Sequence, residues 1–221
     1  MHNWLVSKDF NQASKLAAEF LAKIISECVD DRGVCHVVLP GGTSPQKCFK
    51  YLSEMELPWE KIHWYLGDER VLPEGDPDRN DKMIRKNLWS KIPDGVFHTI
   101  QTQLGIKKAV DLFTTELNNV KAIDVALLGM GEDGHTASLF PDNPALDDER
   151  DIVPVYESPK APAERVSFSV RKLSEAGVRV VLTGGKSKAD AISRVKAGEK
   201  LPINTIGNIN WFIDKDADLT K

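Results

Sequence analysis

The segment Gly129-Met130-Gly131-Glu132-Asp133-Gly134-His135-Thr136-Ala137-Ser138 packs three glycines and an imidazole into a short stretch. Glycine reaches backbone angles closed to other residues and lets a ligand approach the main chain. His135 follows directly. A neutral histidine here is suited to take a proton from water near neutral pH, the work of a general base. Asp133 is placed to act as its partner or as a cap, because His135 looks like the start of another helix. No second histidine stands at metal-ligand spacing, so no zinc centre is expected here. His36 and His63 fall inside apolar runs and should be packed, while His2 and His98 have no glycine-rich context.

Three further segments and one separate arginine carry chemistry. Gly41-Gly42-Thr43-Ser44 can bend closely around an anion, with helix N–H groups and hydroxyls donating. A plain turn capped by Ser44 would look the same, and the segment has neither the Walker lysine nor the dinucleotide glycine pattern. Gly67-Asp68-Glu69-Arg70 sets two carboxylates beside a guanidinium. One carboxylate could orient a histidine or accept a substrate hydroxyl, and Arg70 could bind an anion or neutralise its neighbours. Lys188, with Lys186 as local competitor, lies in the first turn of a helix after a glycine turn, where an oxyanion is favoured. Arg165 offers a fork of donors to phosphate oxygens.

The elements that position these residues alternate. Apolar residues from Ala13 to Ile25 recur at helical spacing. The runs 34–39, 62–66, 124–128, 165–170, 178–182 and 210–213 read as strands. Helices are expected from near Ser44-Pro45, over 82–88, over 106–120 and over 187–195. Strands alternating with helices imply a mostly parallel sheet covered on both faces. The expected fold is α/β, a single three-layer αβα Rossmann-like domain over residues 1–221. Ligands of such sheets bind beyond the carboxyl ends of the strands. Glycine, hydroxyl, carboxylate, imidazole and ammonium groups all fall there, and this convergence is the functional signal.

Composition narrows the class. A net charge of −4 argues against a general nucleic-acid binder, without excluding a local basic pocket. Cys28, Cys35 and Cys48 are odd in number and lack C-x-x-C spacing, so they read as free thiols in a reducing compartment. The amino-terminal residues do not resemble a secretory signal, and no apolar run approaches bilayer length. A cytoplasmic protein is expected, with no membrane partner.

The segments LPGGTSP, WYLGDERVLPEGDPDRND, DVALLGMGEDGHTASLFPDNPAL, SPKAPAERVSFSV and LTGGKSKADAI stand in an order that resembles the 6-phosphogluconolactonases. That family lies within a superfamily that includes the glucosamine-6-phosphate deaminases. The resemblance runs from about Leu39 to Trp211. Deaminases typically continue their histidine loop as DGH-I-A-F-N-E-P and read M-D-E-Y where this chain has Gly67-Asp68-Glu69-Arg70.

The resemblance implies hydrolysis of 6-phospho-D-glucono-1,5-lactone by a monomer acting on a small molecule, with no metal and no organic cofactor. It implies that His135 is the catalytic histidine, that Gly41, Gly42, Thr43 and Ser44 form the phosphate site with Arg165 and Lys188, and that Asp68 and Arg70 lie near the sugar ring. Gly131, Asp133 and Gly134 would support the loop or supply oxyanion donors. The first loop reads Gly-Gly-Thr-Ser-Pro where Gly-Gly-Ser-Thr-Pro is more usual, so which hydroxyl serves is open. The extra residue in Gly184-Gly185-Lys186-Ser187-Lys188 leaves Lys186 and Lys188 both open. The alternatives are a deaminase using Asp68 for proton abstraction, and a non-catalytic sugar-phosphate sensor.

Overall fold

In the computed structural model, which describes residues 1–92 and 94–218, strands and helices alternate along the chain. In order they are β1 (Asn3–Ser7), α1 (Phe10–Arg32), β2 (Cys35–Leu39), α2 (Gln46–Ser53), β3 (Ile62–Leu66), β4 (Asp68–Arg70), α3 (Asn80–Asn87) and β5 (Val96–His98). There follow α4 (Ile106–Leu117), β6 (Val125–Leu128), β7 (Ile152–Val155), β8 (Arg165–Phe168), α5 (Val170–Ser174), β9 (Val178–Leu182), α6 (Ala189–Lys196) and β10 (Asn210–Asp214). Of the expected span 1–221, residues 93 and 219–221 lie outside the described residues.

Seven strands form one parallel sheet in the order β1-β10-β9-β6-β2-β3-β5. Its middle strands are apolar on both faces because helices cover both. On one face, Phe212 of β10 meets Phe20 of α1, with ring centroids 5.5 Å apart. On the other, Tyr65 of β3 meets Phe113 of α4 at 6.4 Å. Val37, Val125, Val180 and Leu182 share the first face by register and are buried. From β2 the chain moves outward to β3 and β5, and from β6 it moves the other way through β9 to β10. The order therefore reverses between β2 and β6, and a crevice opens there at the carboxyl ends of the strands.

A second, antiparallel sheet has the order β4-β8-β7. Asp68-Glu69-Arg70 is thus a short strand, and the surface-loop alternative fails: Glu69 is wholly buried and Asp68 nearly so. The helix expected to open at His135 is absent, and residues 129–139 form turns closed by a bridge between Thr136 and Leu139. Ala137 there has φ 48°, outside the helical range. The helix after Ser44 begins at Gln46, with Pro45 before its first turn and no side-chain cap. Lys188 ends a 3-10 turn and stands at the N-cap position of α6, just outside its first turn. The run 165–170 ends as a strand at Phe168, where Ser169 caps α5 by accepting from the Lys172 N–H.

Candidate active site

The carboxyl ends of β2, β6 and β9 open onto a cleft of about 350 Å3. Gly41, Gly42, Thr43, Ser44, Asp68, Arg70, Gly131, His135, Arg165 and Lys188 line it, as expected from the sequence. Asn80, Met130, Ala137, Lys160 and Ala161 line it as well, and the sequence reading did not single them out. Lys160 lies within the segment SPKAPAERVSFSV and Asn80 within WYLGDERVLPEGDPDRND, so the signal lay in the same blocks. Asp133 and Gly134, also expected from the sequence, do not line it.

His135 is held by its own loop. Its Nδ1 lies 2.5 Å from Asp133 Oδ1, which also accepts the His135 backbone N–H at 3.2 Å. An ionised carboxylate only accepts, so the proton sits on Nδ1 and Nε2 keeps its lone pair. The ring packs 4.6 Å from that of Phe140. Burial pushes the imidazole below its ordinary 6.5, and although Asp133 pulls the other way, burial prevails. Asp133 is held below the usual carboxylate value: burial acts to raise it, and His135 more than offsets that.

The loop accounts for its glycines. A Cβ on Gly131 would lie 1.9 Å from His135 Nδ1 and 2.5 Å from Asp133 Oδ1, so only glycine leaves room for the pair. Gly134 turns the chain at φ 80°. The Gly131 N–H donates to the His135 carbonyl at 2.8 Å, and the Gly134 N–H donates to the Gly131 carbonyl at 3.1 Å. These amides close the loop on itself. They support it, and they are not open to a substrate oxyanion.

Asp68 does not reach His135; the carboxylate that orients the imidazole is Asp133. Asp68 accepts from Ser138 Oγ at 2.5 Å and from Asn80 Nδ2 at 3.1 Å. It is thereby tied to the far end of the histidine loop. Asn80 Nδ2 also donates to the Asp68 carbonyl at 2.8 Å. Alternation along β4 sends Asp68 and Arg70 to the cleft and Glu69 to the opposite side. There Glu69 accepts the backbone N–H groups of Asn80, Asp81 and Arg70 at 2.7, 2.9 and 2.9 Å, fixing the first turn of α3. Burial pushes its carboxyl up to about 7, against the pull of these bonds and of Arg79. The carboxamide of Asn80 fills the position a Cβ on Gly41 would take, with Oδ1 1.9 Å from it. Asn80 thus links the Gly41 loop, α3 and Asp68.

Four cations, Arg70, Lys160, Arg165 and Lys188, share the cleft wall with one carboxylate, that of Asp68. The balance favours an anionic ligand. Arg165 does not offer its whole fork. Nε donates to the Pro162 carbonyl at 3.2 Å, and Nη2 to the carbonyls of Lys160 and Ala161 at 3.0 and 3.2 Å. It holds the segment that carries Lys160 while its guanidinium lies 5.5 Å from the Phe140 centroid. Arg70 donates to the Asp78 carbonyl through Nη1, so it is anchored from outside the cleft. Lys188 is half-buried on the wall, and burial lowers its ammonium below the usual value with Glu132 opposing. Lys186 is exposed and lies off the wall.

Residues 8–212 match the family model described as glucosamine-6-phosphate isomerases/6-phosphogluconolactonase. The chain belongs to this family. It is 32% identical over 211 residues to a 6-phosphogluconolactonase of Synechocystis sp., covering 87% of each chain. It is 32% identical over 224 residues to that of Mycobacterium tuberculosis, covering 91% of each. A crystal structure of 6-phosphogluconolactonase from Thermotoga maritima superposes with a TM-score of 0.90 at 27% identity, over 97% of this chain and 100% of that one. The glucosamine-6-phosphate isomerase/6-phosphogluconolactonase family is therefore shared along nearly the whole chain, including every loop that lines the cleft. Among the described residues, no helix is long and apolar enough to cross a membrane.

Proposed function

We propose that the chain hydrolyses 6-phospho-D-glucono-1,5-lactone to 6-phosphogluconate, the second step of the oxidative pentose phosphate pathway. The observation that carries this reading is the half-buried His135, paired with Asp133, on a wall that also holds four cations. The family relatives named 6-phosphogluconolactonase support it.

In this reading the 6-phosphate is anchored by the Gly41–Ser44 loop with Arg165 and Lys188. That remote binding energy positions the lactone carbonyl. Asp68 and Arg70 meet the sugar hydroxyls. His135 Nε2 takes a proton from water as the water oxygen bonds to C1. The carbonyl electrons move onto oxygen, and the resulting charge is stabilised by the Lys160 ammonium of the wall. The bond from C1 to the ring oxygen then breaks, and His135 returns its proton to that oxygen. The residues need no metal or organic cofactor for these steps. We further propose that residues 1–221 act as one domain and as a monomer on this small molecule, without nucleic acid. The free state of Cys28, Cys35 and Cys48 supports a reducing, cytoplasmic setting.

The test is lactone hydrolysis with the substrate generated in place and the spontaneous rate subtracted. Wild type should accelerate it, and His135→Ala should lower kcat by about 10²- to 10⁴-fold. A loss under about threefold in a folded variant would remove His135 from the role of base. No acceleration by folded wild type would end the lactonase reading.

A further inference from the structure

A second cluster of chemically competent side chains lies at the opposite end of the sheet from the cleft. Cys35 opens β2 and Asp124 directly precedes β6, whereas the cleft begins past the last residues of both strands. Cys28 reaches the same point from the last turns of α1. One ligand atom from each of Cys28, Cys35 and Asp124 lies within 4.8 Å of the others. Cys35 and Asp124 are buried, and Cys28 is half-buried. No step of the proposed reaction uses any of them.

We propose that Cys28, Cys35 and Asp124 bind a thiophilic divalent cation, of the class of Zn2+ or Cd2+. Ligand chemistry selects the class. Two sulfurs favour a soft or borderline ion over Mg2+ or Ca2+, which take all-oxygen shells. Tetrahedral zinc holds sulfur at about 2.3 Å and carboxylate oxygen at about 2.0–2.2 Å, so its ligand atoms stand roughly 3.5–4 Å apart. The cluster reaches that spacing with side-chain shifts of about 1 Å. A water reaching the cluster past the half-buried Cys28 would complete the tetrahedron as fourth ligand.

The surroundings fit a bound ion. Asp124 is already oriented: Oδ1 lies 2.7 Å from Arg32 Nη2, and Oδ2 accepts the His36 backbone N–H at 2.7 Å. Carboxylates that ligate a metal are commonly held by outer hydrogen-bonding groups, here Arg32 and the His36 N–H. Charge also balances. With two thiols, Asp124 and Arg32 the group is neutral, and exchanging two thiol protons for one divalent cation leaves it neutral. The ion would tie the end of α1 to the starts of β2 and β6. This inference does not rest on the lactonase reading.

The experiment titrates the chelator-treated full chain with Cd2+ alone, following sulfur-to-cadmium charge-transfer absorption. One saturable equivalent is expected, displaced by Zn2+, with the half-buried Cys28 thiol newly protected from alkylation and the melting temperature raised. Cys28→Ser is the informative variant, because Cys35 is fully buried and its serine variant need not fold. It should lose saturable binding, while Cys48→Ala, which keeps a buried site in α2 apolar and lies away from the cluster, should bind as wild type does. Arg32→Gln should weaken binding by about 10- to 100-fold. Absence of a saturable signal at one equivalent, or wild-type titration by Cys28→Ser, would overturn the proposal.

Discussion

Asp133 and His135 are bound to one another twice within a single turn: Asp133 Oδ1 lies 2.5 Å from the imidazole Nδ1 and accepts the His135 backbone N–H. The carboxylate therefore fixes both the tautomer and the direction of the ring. Removing it frees the ring and withdraws a charge that raises the His135 pKa. Asp133→Ala should lower kcat by less than His135→Ala does and shift the acid limb of the rate profile to lower pH. The double variant should be no worse than His135→Ala alone, because the two residues act as a unit. Additive losses would show that Asp133 serves elsewhere.

The pH dependence of the wild type follows from the same environment. Burial holds His135 below 6.5, so the base stays neutral through neutral pH and is lost only on acidification past that value. A profile of kcat/KM against pH should show its acid limb below 6.5. A limb at or above 6.5 would mean that burial does not govern this group.

Gly131→Ala tests the packing of the pair. Its Cβ would fall 1.9 Å from His135 Nδ1, where only displacement of the imidazole relieves the clash. The expected outcome is a loss of kcat approaching that of His135→Ala, with the chain still folded by circular dichroism. Gly41→Ala should act on the other wall by displacing Asn80, whose Oδ1 would lie 1.9 Å from the new carbon. Wild-type turnover in Gly131→Ala would contradict the close approach.

The two lysines after β9 should separate in kinetics. Lys188 lines the cleft, and Lys186 is exposed off it. Lys188→Ala should raise KM for the lactone and weaken binding of 6-phosphogluconate, whereas Lys186→Ala should leave both near wild type. Calorimetric titration with 6-phosphogluconate decides between them, and the reverse pattern would move the anion site along the turn.

Stability should also depend on pH, through histidines away from the cleft. Burial lowers the pKa of His36 and His63 below 6.5, reinforced at His36 by His63 and at His63 by His98. Both lie on the sheet face covered by α4, where His63 Nδ1 meets His98 Nε2 at 2.9 Å and His98 meets Glu116. A group whose folded pKa is depressed binds more protons when unfolded, so its contribution is present above 6.5 and lost as pH falls below it. The urea midpoint of wild type should fall on acidification below 6.5, and less steeply in His63→Gln. Equal slopes would exclude His63 as a source.

The sequence by itself determined the parallel core and the loops at its rim. Strands such as Cys35–Leu39 and Val178–Leu182 are mostly apolar runs, interrupted only by His36 and Arg179 and followed closely by glycine, and that signal is local because both faces of the strand are covered. It missed β1, β5 and β7, which are short or lie near the sheet edges, and it missed β4, whose residues are charged. Asp68–Arg70 becomes a strand only by pairing with Arg165–Phe168, a partner remote in the chain. The same non-local pairing decided the carboxylates. Sequence left the carboxylate that orients the histidine open, and the structure assigns Asp133 to the imidazole, Asp68 to Ser138 and Asn80, and Glu69 to the start of α3. It likewise brought Lys160 and Asn80 to the cleft, and Cys28 and Cys35 to Asp124. Residue type and local period are written in the chain, but which side chains meet depends on packing between elements, and that only the tertiary structure supplies.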